Sequence, residues 1–478
     1  MRVSVLVGCA LLVAACPAFS ATIHVSPDGS GDYPTIQAAI EGASSGDEIL
    51  LSDGVFTGDG NWDLNFGTKE LVLRSEHGYA ATTIDCGSND ENWSSHEGIL
   101  IEGGQTSATK VEGLTIQHVF WPAEGGAILC VGASPVIESV RIRWNHAHGG
   151  ILVQGGAPLI EDCYVLESTN LSPAAIFGEN SSPTLRRCSF TRLSAPSVVS
   201  LDGGVVVGCT IEDTSGPYSD HESQGECVWF RGGQGSILTS TFRRNFGFTV
   251  MSMGDVVLDG CRFEENVGDH PGFEAYRGSA TIRNSVFLGN LSGGPGSHAS
   301  AVYFAGGTLS LDHCVFASNN TDAVGVAGTA ALSVKHCTFV GNGSRTHNPD
   351  GPGSSIASLS GAPSITIDHN IITQGGPRTV AVYCHVAPTS LVATCSDIYG
   401  NPGGDWTGCL AGMDTAGQNI SKDPLLCDVA NGDLRLQSAS PCAPPNDNGC
   451  GLFGALGVGC GTTALQERSW GSIKALYR

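Results

Sequence analysis

The sequence has few basic residues. Lys and Arg total 23 against 46 Asp and Glu, which gives a net charge of −23. A chain of this charge lacks the basic surface that a phosphate backbone requires, which argues against nucleic acid as a partner. An acidic balance of this size is typical of a soluble protein, and it attracts divalent cations.

Methionine is also scarce, with 4 residues, whereas Gly contributes 66 of the 478 residues. This is roughly twice the usual share of Gly and predicts a turn-rich chain without long helices. Beyond the N-terminus, no apolar run approaches the roughly 20 residues that a membrane-spanning helix needs.

The N-terminus resembles an export signal. Arg2 precedes the apolar stretch "VSVLVGCALLVAACPAF", which is too short to span a bilayer. We expect residues 1–21 to be a signal peptide that is cleaved after Ser20 or Ala21. Alternatively, "VAAC" resembles a lipobox and would leave Cys16 lipidated. Either route places the mature chain in a compartment where disulfides persist.

A repeat of strand-like segments organises the rest of the chain. Twelve apolar anchors recur from residue 116 to residue 398, which is about 26 residues per step. The anchors are Ile116, Ile142, Val165, Phe190, Ile211, Phe242, Phe263, Phe287, Phe316, Phe339, Ile372 and Ile398. Each repeat holds three short runs of alternating apolar and polar residues, separated by Gly, Asn, Pro or Ser. This pattern predicts an all-β fold, a single right-handed parallel β-helix of about 25 residues per coil.

The residue two positions before each anchor shares the inward face of its strand. Six of these positions are cysteines, which we expect to be reduced and stacked inside the β-helix: Cys163, Cys188, Cys209, Cys261, Cys314 and Cys337. His336 beside Cys337 faces outward, so the two residues are not a catalytic pair. Three residues after many anchors comes an Asn, which we expect at the corner of the coil in left-handed backbone, with amides bonded between coils. These are Asn145, Asn245, Asn266, Asn290, Asn319, Asn342 and Asn401.

The segment "SPDGSGDYPTIQAAIEGASSGDEILLSDGVFTG" (Ser26–Gly58) resembles the opening of pectin-lyase-like β-helix proteins, including pectin methylesterases. The segment "DPLLCDVANGDLRLQSASPCAP" resembles the closing part of exported bacterial right-handed β-helix repeat proteins. The resemblance implies a β-helix over residues 22–425, with a capping helix within "YPTIQAAIEGA". It also implies a Cys-rich closing segment over residues 426–460.

Catalytic signatures of this fold are missing. The QDTL and DFIFG motifs of pectin methylesterases are absent, and "NTD" (Asn320–Asp322) lacks the DD, GHG and RIK partners of polygalacturonases. We therefore expect a non-catalytic carbohydrate-binding or surface-interaction protein. A polysaccharide lyase or glycoside hydrolase with a non-standard site is one alternative, and a structural spine or adhesin is another. The catalytic residues stay unknown at this point.

Polar loops before the second strand of several coils form a candidate ridge. We expect a divalent cation, if one binds, at His146, His148, Asp220 and His221. Alternation within "VWFRG" turns Trp229 and Arg231 outward, and Tyr303 takes the same slot as Trp229. Aromatic rings on a sheet stack on sugars. The residues expected to contact a glycan or a cell-envelope polysaccharide are Glu124, His148, Trp229, Arg231 and Tyr303.

The C-terminal part contains seven cysteines between residues 384 and 460. We expect disulfides there, with Cys427–Cys442 and Cys450–Cys460 as one arrangement, although spacing alone does not fix connectivity. Seven is odd, so one thiol stays free or pairs elsewhere. Residues 461–478 carry basic residues and are interpreted as a sorting or attachment tag, or alternatively as a frayed tail. We expect a monomer, secreted by or held on the outer surface of a Gram-negative bacterium.

Overall fold

The computed structural model describes residues 20–88, 95–121, 125–147, 150–169, 171–216, 225–292, 300–344 and 352–460. Residues 1–19, which belong to the predicted signal peptide, and residues 461–478 lie outside this range. In the described part, no helix combines the length and the apolar character required to cross a bilayer.

Three long parallel sheets run along the molecule, and each coil between the two ends contributes one strand to each sheet. The first strands of the coils form sheet A, with 15 strands: Thr22–Val25, Glu48–Leu51, Val72–Ser75, Lys110–Glu112, Val136–Glu138, Leu159–Glu161, Thr184–Arg186, Gly204–Val207, Gly235–Leu238, Val256–Asp259, Ser279–Arg283, Thr308–Asp312, Ala331–Lys335, Ser364–Asp368 and Ser390–Thr394. The anchor strands form sheet B, with 14 strands: Gly54–Phe56, Thr82–Asp85, Thr115–Gln117, Arg141–Arg143, Tyr164–Leu166, Ser189–Thr191, Thr210–Glu212, Thr241–Arg243, Arg262–Glu264, Val286–Leu288, Val315–Ala317, Thr338–Val340, Ile371–Thr373 and Asp397–Tyr399.

Sheet C has 13 strands: Leu64–Asn65, Ile99–Ile101, Ile128–Val131, Ile151–Gln154, Ala174–Glu179, Ser197–Leu201, Glu226–Phe230, Phe248–Ser252, Phe273–Ala275, Ser300–Phe304, Asp322–Val326, Ser354–Ser358 and Val380–Cys384. Short parallel extensions pair Phe120–Trp121 with His146–Ala147 and Val267–Gly268 with Leu291–Ser292. The predicted parallel β-helix is confirmed.

The interior follows the predicted repeat. All twelve anchors pair with one another in consecutive strands of sheet B. Five phenylalanines, from Phe242 to Phe339, stack with ring centroids 4.6 to 4.9 Å apart. This spacing equals the distance between neighbouring strands, so one residue type fills one interior row. The six predicted cysteines are buried in the same core cluster and are free thiols.

The Asn residues form a hydrogen-bonded ladder at the corner after sheet B, as predicted. Asn266 Nδ2 donates to Asn290 Oδ1 at 3.0 Å and to the carbonyl of Phe242 in the preceding coil at 3.1 Å. The expectation of left-handed backbone at these residues is wrong. The positive φ belongs to the residue before the Asn, for example Arg244 and Glu265. The Asn itself points inward, because only there does its amide meet the corner's backbone groups.

Both ends of the β-helix are closed. The predicted capping helix spans Ile36–Gly42, Thr35 Oγ1 accepts from the backbone N–H of Ala38, and Ile36, Ala39 and Ile40 are buried. A 3-10 helix at Gly408–Leu410 precedes the closing segment, which contains a second one at Val429–Asn431 and an antiparallel pair, Leu426–Asp428 with Asp433–Leu436.

The disulfide arrangement suggested above is wrong. The bonds join Cys384 to Cys409, Cys395 to Cys450 and Cys427 to Cys460. Cys442 is the odd thiol, buried where its Sγ–H donates to Asp397 Oδ2 at 3.0 Å. Folding of the closing segment against the last coils brings together cysteines that are up to 55 residues apart, which spacing along the chain does not show.

The core thiols give a direct test of this architecture. Burial raises the pKa of Cys130 and of Cys227 to about 12, and the thiolate is the reactive form. We expect a thiol reagent to modify none of the ten free cysteines that lie within the described residues of the folded chain. All ten should react in denaturant, and the six disulfide cysteines should add to them only after reduction. Rapid labelling of several thiols in the folded chain would contradict a solid interior.

Candidate functional site

The outer face of sheet C carries a row of large side chains. Trp229, Met251, Glu274 and Tyr303 pair in register on four consecutive strands. The row is the outward slot that strand alternation predicts for Trp229 and Tyr303. Further along, the same row holds the small residues Gly325 and Ala357.

Two acidic residues lie at the beginning of sheet C strands beside this row. In these strands two successive residues pack into the core, such as Cys227 with Val228 and Ala323 with Val324. The regular alternation is therefore broken, and the residue before each pair leaves the core. These positions are Glu226 and Asp322, which both keep some solvent exposure.

Glu274 is fully buried among the residues of the row. Neither carboxylate oxygen has a hydrogen-bond partner in the described part of the chain, and His270 Nε2 is 3.9 Å from Oε1. Burial raises the pKa of Glu274 to about 7. The nearby Tyr276 hydroxyl lowers this pKa in part, and the charges of Asp269 and Glu226 raise it. A carboxyl group in this state exchanges a proton near neutral pH.

Aromatic rings enclose Glu274. His270 stacks on Tyr303 with ring centroids 4.5 Å apart, and Tyr276 meets Tyr303 edge-on at 5.9 Å. Trp229 is half-buried, and its indole N–H has no partner among the described residues. The partly exposed rings offer a stacking surface, whereas the indole nitrogen itself is buried.

The two other carboxyl groups also have raised pKa values. Burial raises the pKa of Asp322 to about 6, although Ser354 donates to it from the backbone N–H at 2.7 Å and from Oγ at 2.8 Å. Burial likewise raises the pKa of Glu226, which accepts from Ser197 Oγ at 2.7 Å. Each lies two strands from Glu274, about 10 Å along the axis.

Arg231 lies at the end of the Trp229 strand, where its side chain is already engaged. Nε donates to Asp202 Oδ1 at 3.1 Å, a second guanidinium nitrogen donates to the carbonyl of Gly178, and the guanidinium lies 4.2 Å from the centre of the Phe177 ring. These hydrogen bonds of Arg231 fix the end of the strand, and they leave little of the guanidinium group to contact a ligand.

Of the remaining predicted site residues, His146 is described and lies away from this cluster. His146 lies in a short strand beside Phe120, and its Nδ1 is 3.0 Å from Thr169 Oγ1. Glu124, His148, Asp220 and His221 lie outside the described residues, so the predicted cation site formed with His146 stays a prediction.

Sequence reasoning missed Glu274, Glu226 and Asp322. The signal for Glu274 was available, because "FEAYRG" matches "VWFRG" and "VYFAG" with Glu in the slot of Trp229 and Tyr303. A single carboxylate in the middle of an apolar strand is itself unusual. Asp322 belongs to the "NTD" match, which lacks its polygalacturonase partners and so gives no reason to expect a site there.

Comparison with known proteins agrees with the fold. The family model described as "Right handed beta helix region" matches residues 126–301 and 175–342. This chain is a right-handed parallel β-helix protein. No curated protein matches the sequence of this β-helix protein.

Solved structures of the pectin-lyase-like fold are similar at low identity. The catalytic unit of a GH87 alpha-1,3-glucanase from Streptomyces thermodiastaticus strain HF3-3 is 13% identical, with 83% of this chain and 71% of that chain covered and a TM-score of 0.45. Carrot pectin methylesterase is 15% identical, with 61% and 82% covered and a TM-score of 0.29. Pectate lyase Pel9A is 13% identical, with 92% and 97% covered and a TM-score of 0.26. These likenesses concern the fold alone.

The protonation of Glu274 predicts a pH dependence of stability. Its pKa is about 7 in the folded chain against an ordinary 4.5, so the folded state keeps a proton that the unfolded state releases in this interval. The contribution of Glu274 to the free energy of unfolding is therefore greatest below pH 4.5 and falls as the pH rises to about 7. Relative to Glu274→Gln, the wild type should lose about 2–3 kcal/mol of unfolding free energy between pH 4.5 and 7.5.

Urea unfolding at the two pH values measures this difference. The control is Glu179→Gln, which alters an exposed carboxylate at the end of a sheet C strand and should follow the wild type. If Glu274→Gln also follows the wild type, Glu274 is ionised and solvated in the folded chain.

Proposed function

We propose that this β-helix protein is exported and binds a neutral polysaccharide across the outer face of sheet C, between Trp229 and Tyr303. The observation that carries the proposal is the row of half-buried rings around the buried carboxyl of Glu274. Trp229 and Tyr303 are three strand spacings apart, about 14 Å. A ligand that contacts both rings must be extended and several sugar units long.

The negative charge of the protein favours a neutral glycan over an anionic one. The chain has a net charge of −23, and three carboxyl groups border the row. The arginines next to it are engaged, since Arg231 bonds to Asp202 and Arg277 Nε donates to the carbonyl of Met253 at 2.9 Å. A polyuronide would meet repulsion at this face unless cations bridged the two.

Export is supported by the cysteines. Six of the seven C-terminal cysteines form three disulfides, and such bonds persist in oxidising compartments. The signal-like N-terminus agrees with this location.

The binding proposal predicts the effect of removing each ring. Trp229→Ala and Tyr303→Ala should each weaken binding of a neutral polysaccharide about tenfold, which corresponds to about 1–2 kcal/mol for a stacked ring. The measurement is affinity electrophoresis or calorimetry with glucans, mannans and xylans, with a polyuronide as the contrasting probe.

The control is Tyr399→Ala, which removes an exposed ring from the outer face of sheet B, away from the proposed site (Tyr399 is 38% exposed). It should leave the affinity unchanged. Binding that survives the loss of both sheet C rings would refute this site, and the absence of any glycan ligand would favour a structural spine or adhesin.

The environment of Glu274 favours a second candidate function, hydrolysis of the bound glycan. A carboxyl group with a pKa of about 7 suits a general acid that protonates a leaving oxygen at neutral pH. Because Glu274 is fully buried, this function requires a movement of the surrounding rings that exposes the carboxyl group to the glycan. Glu226 or Asp322 would supply the second carboxyl group that glycoside hydrolysis requires. Elimination fits less well, because it needs a cation facing a uronate, and Arg231 and Arg277 have other partners.

One variant, Glu274→Gln, distinguishes hydrolysis of the glycan from binding alone. If the protein is a hydrolase, Glu274→Gln should lower the release of reducing ends by about 10²–10⁴-fold while glycan affinity stays near the wild-type value. Glu179→Gln is again the matched control and should retain full activity. If the wild type binds a glycan but releases no reducing ends from it, the site is for binding only.

A further inference from the structure

A row of three histidines runs along the corner between sheet A and sheet B. His313, His336 and His369 each follow a sheet A strand and have left-handed backbone, with φ of 52°, 46° and 56°. Their rings stack with centroids 4.8 Å and 4.9 Å apart. The next residue in each case, Cys314, Cys337 or Asn370, is buried, so the corner turns the imidazoles outward.

One carboxylate serves two of these rings. Asp312 Oδ1 is 2.9 Å from His313 Nδ1 and 3.6 Å from His336 Nδ1. The three side chains are 45%, 44% and 33% exposed in the order Asp312, His313 and His336. The group therefore faces solvent and is open to a small ligand.

We propose that Asp312, His313 and His336 bind one divalent transition-metal ion, with zinc as the representative ion. One ligand atom from each residue lies within 4.8 Å of the others. With zinc–ligand bonds of about 2.0–2.1 Å, neighbouring ligand atoms are about 3.0–3.4 Å apart. The two distances to Asp312 are already close to these values, and rotation of the exposed rings brings the two imidazoles together.

The donor set selects the class of metal. Two imidazoles and one carboxylate suit zinc, copper or nickel, whereas calcium and magnesium prefer sites made of oxygen ligands. The exposed side leaves further coordination positions to water or to a donor from a bound molecule.

His369 supports the site without joining it. Its Nδ1 is 2.9 Å from Asp368 Oδ1, and its Nε2 is 2.9 Å from the carbonyl of Cys450. These contacts fix the ring against which His336 stacks. Lys335 lies in register between Asp312 and Asp368, so carboxylates on both sides offset the repulsion between its ammonium group and an ion.

This site is independent of the proposed glycan site. It lies at the corner between sheets A and B, whereas the aromatic row lies on sheet C. It also shares no residue with the cation site predicted from the sequence at His146, His148, Asp220 and His221. A variant that loses zinc binding can therefore still be tested for glycan binding, and the reverse also holds.

Calorimetric titration of the untagged mature chain with zinc at pH 7.5 tests the proposal. We expect one bound equivalent that depends on this site, and at least a tenfold loss of its affinity in the double variant His313→Ala/His336→Ala and in Asp312→Asn. The control is His77→Ala, because His77 Nδ1 contacts only a single carboxylate, Asp53 Oδ1 at 3.0 Å, among the salt bridges of the described residues. It should bind zinc like the wild type.

Zinc should also raise the melting temperature of the wild type and not that of the double variant. Asp312→Asn keeps the shape of the corner, so it decides the outcome if the double variant folds poorly. Failure of the wild type to take up zinc would overturn the proposal. Equal uptake by the wild type and Asp312→Asn would also overturn it.

Discussion

The in-register pairing of successive coils is the constraint on which the rest of this structure depends. Each coil repeats the strand pairing of the one before, so every side-chain position becomes a row along the axis. In the interior, a row packs closely only if its side chains stack at the strand spacing. The phenylalanines from Phe242 to Phe339 do so at 4.6 to 4.9 Å. A slip by one residue would turn a whole row outward. The Asn ladder fixes the register, because each amide bonds to the next coil and to the one before.

The same constraint makes Glu274 stand out. Gly325 and Ala357 occupy its row further along, so the fold accepts a small neutral side chain at this position. A buried carboxyl group whose oxygens make no hydrogen bond within the described part of the chain is costly, and its neighbours in the row, Met251 and Tyr303, do not offset that cost. A local departure from stacking that coincides with a concentration of aromatic rings is typical of a functional site.

The sequence predicts the rows of residues that recur at a regular spacing, and it predicts few of the features that occur only once. The anchors, the inward cysteines and the Asn ladder recur about every 26 residues, so their positions follow from counting. Glu274 occurs once and has no period. The disulfides lie where the regular coils end, and there three-dimensional proximity decides the pairing, as between Cys395 and Cys450. The sequence places the left-handed backbone of the corner at the Asn, whereas the structure has it at the preceding residue. The Asn recurs visibly in the sequence, and the residue before it varies from coil to coil.

The distribution of charge follows from the rows as well. Many arginines pair with a carboxylate on a neighbouring coil, as Arg187 does with Asp162, Arg244 with Asp213 and Arg283 with Asp259. Each such surface pair contributes only about 0–1 kcal/mol, but together they place the scarce cations on sheets A and B and their corners. Sheet C keeps its carboxyl groups and has Arg231 already bonded to Asp202. Its outer face therefore combines acidic groups with aromatic rings, a combination that disfavours an anionic polymer and leaves stacking as the main attraction for a neutral one.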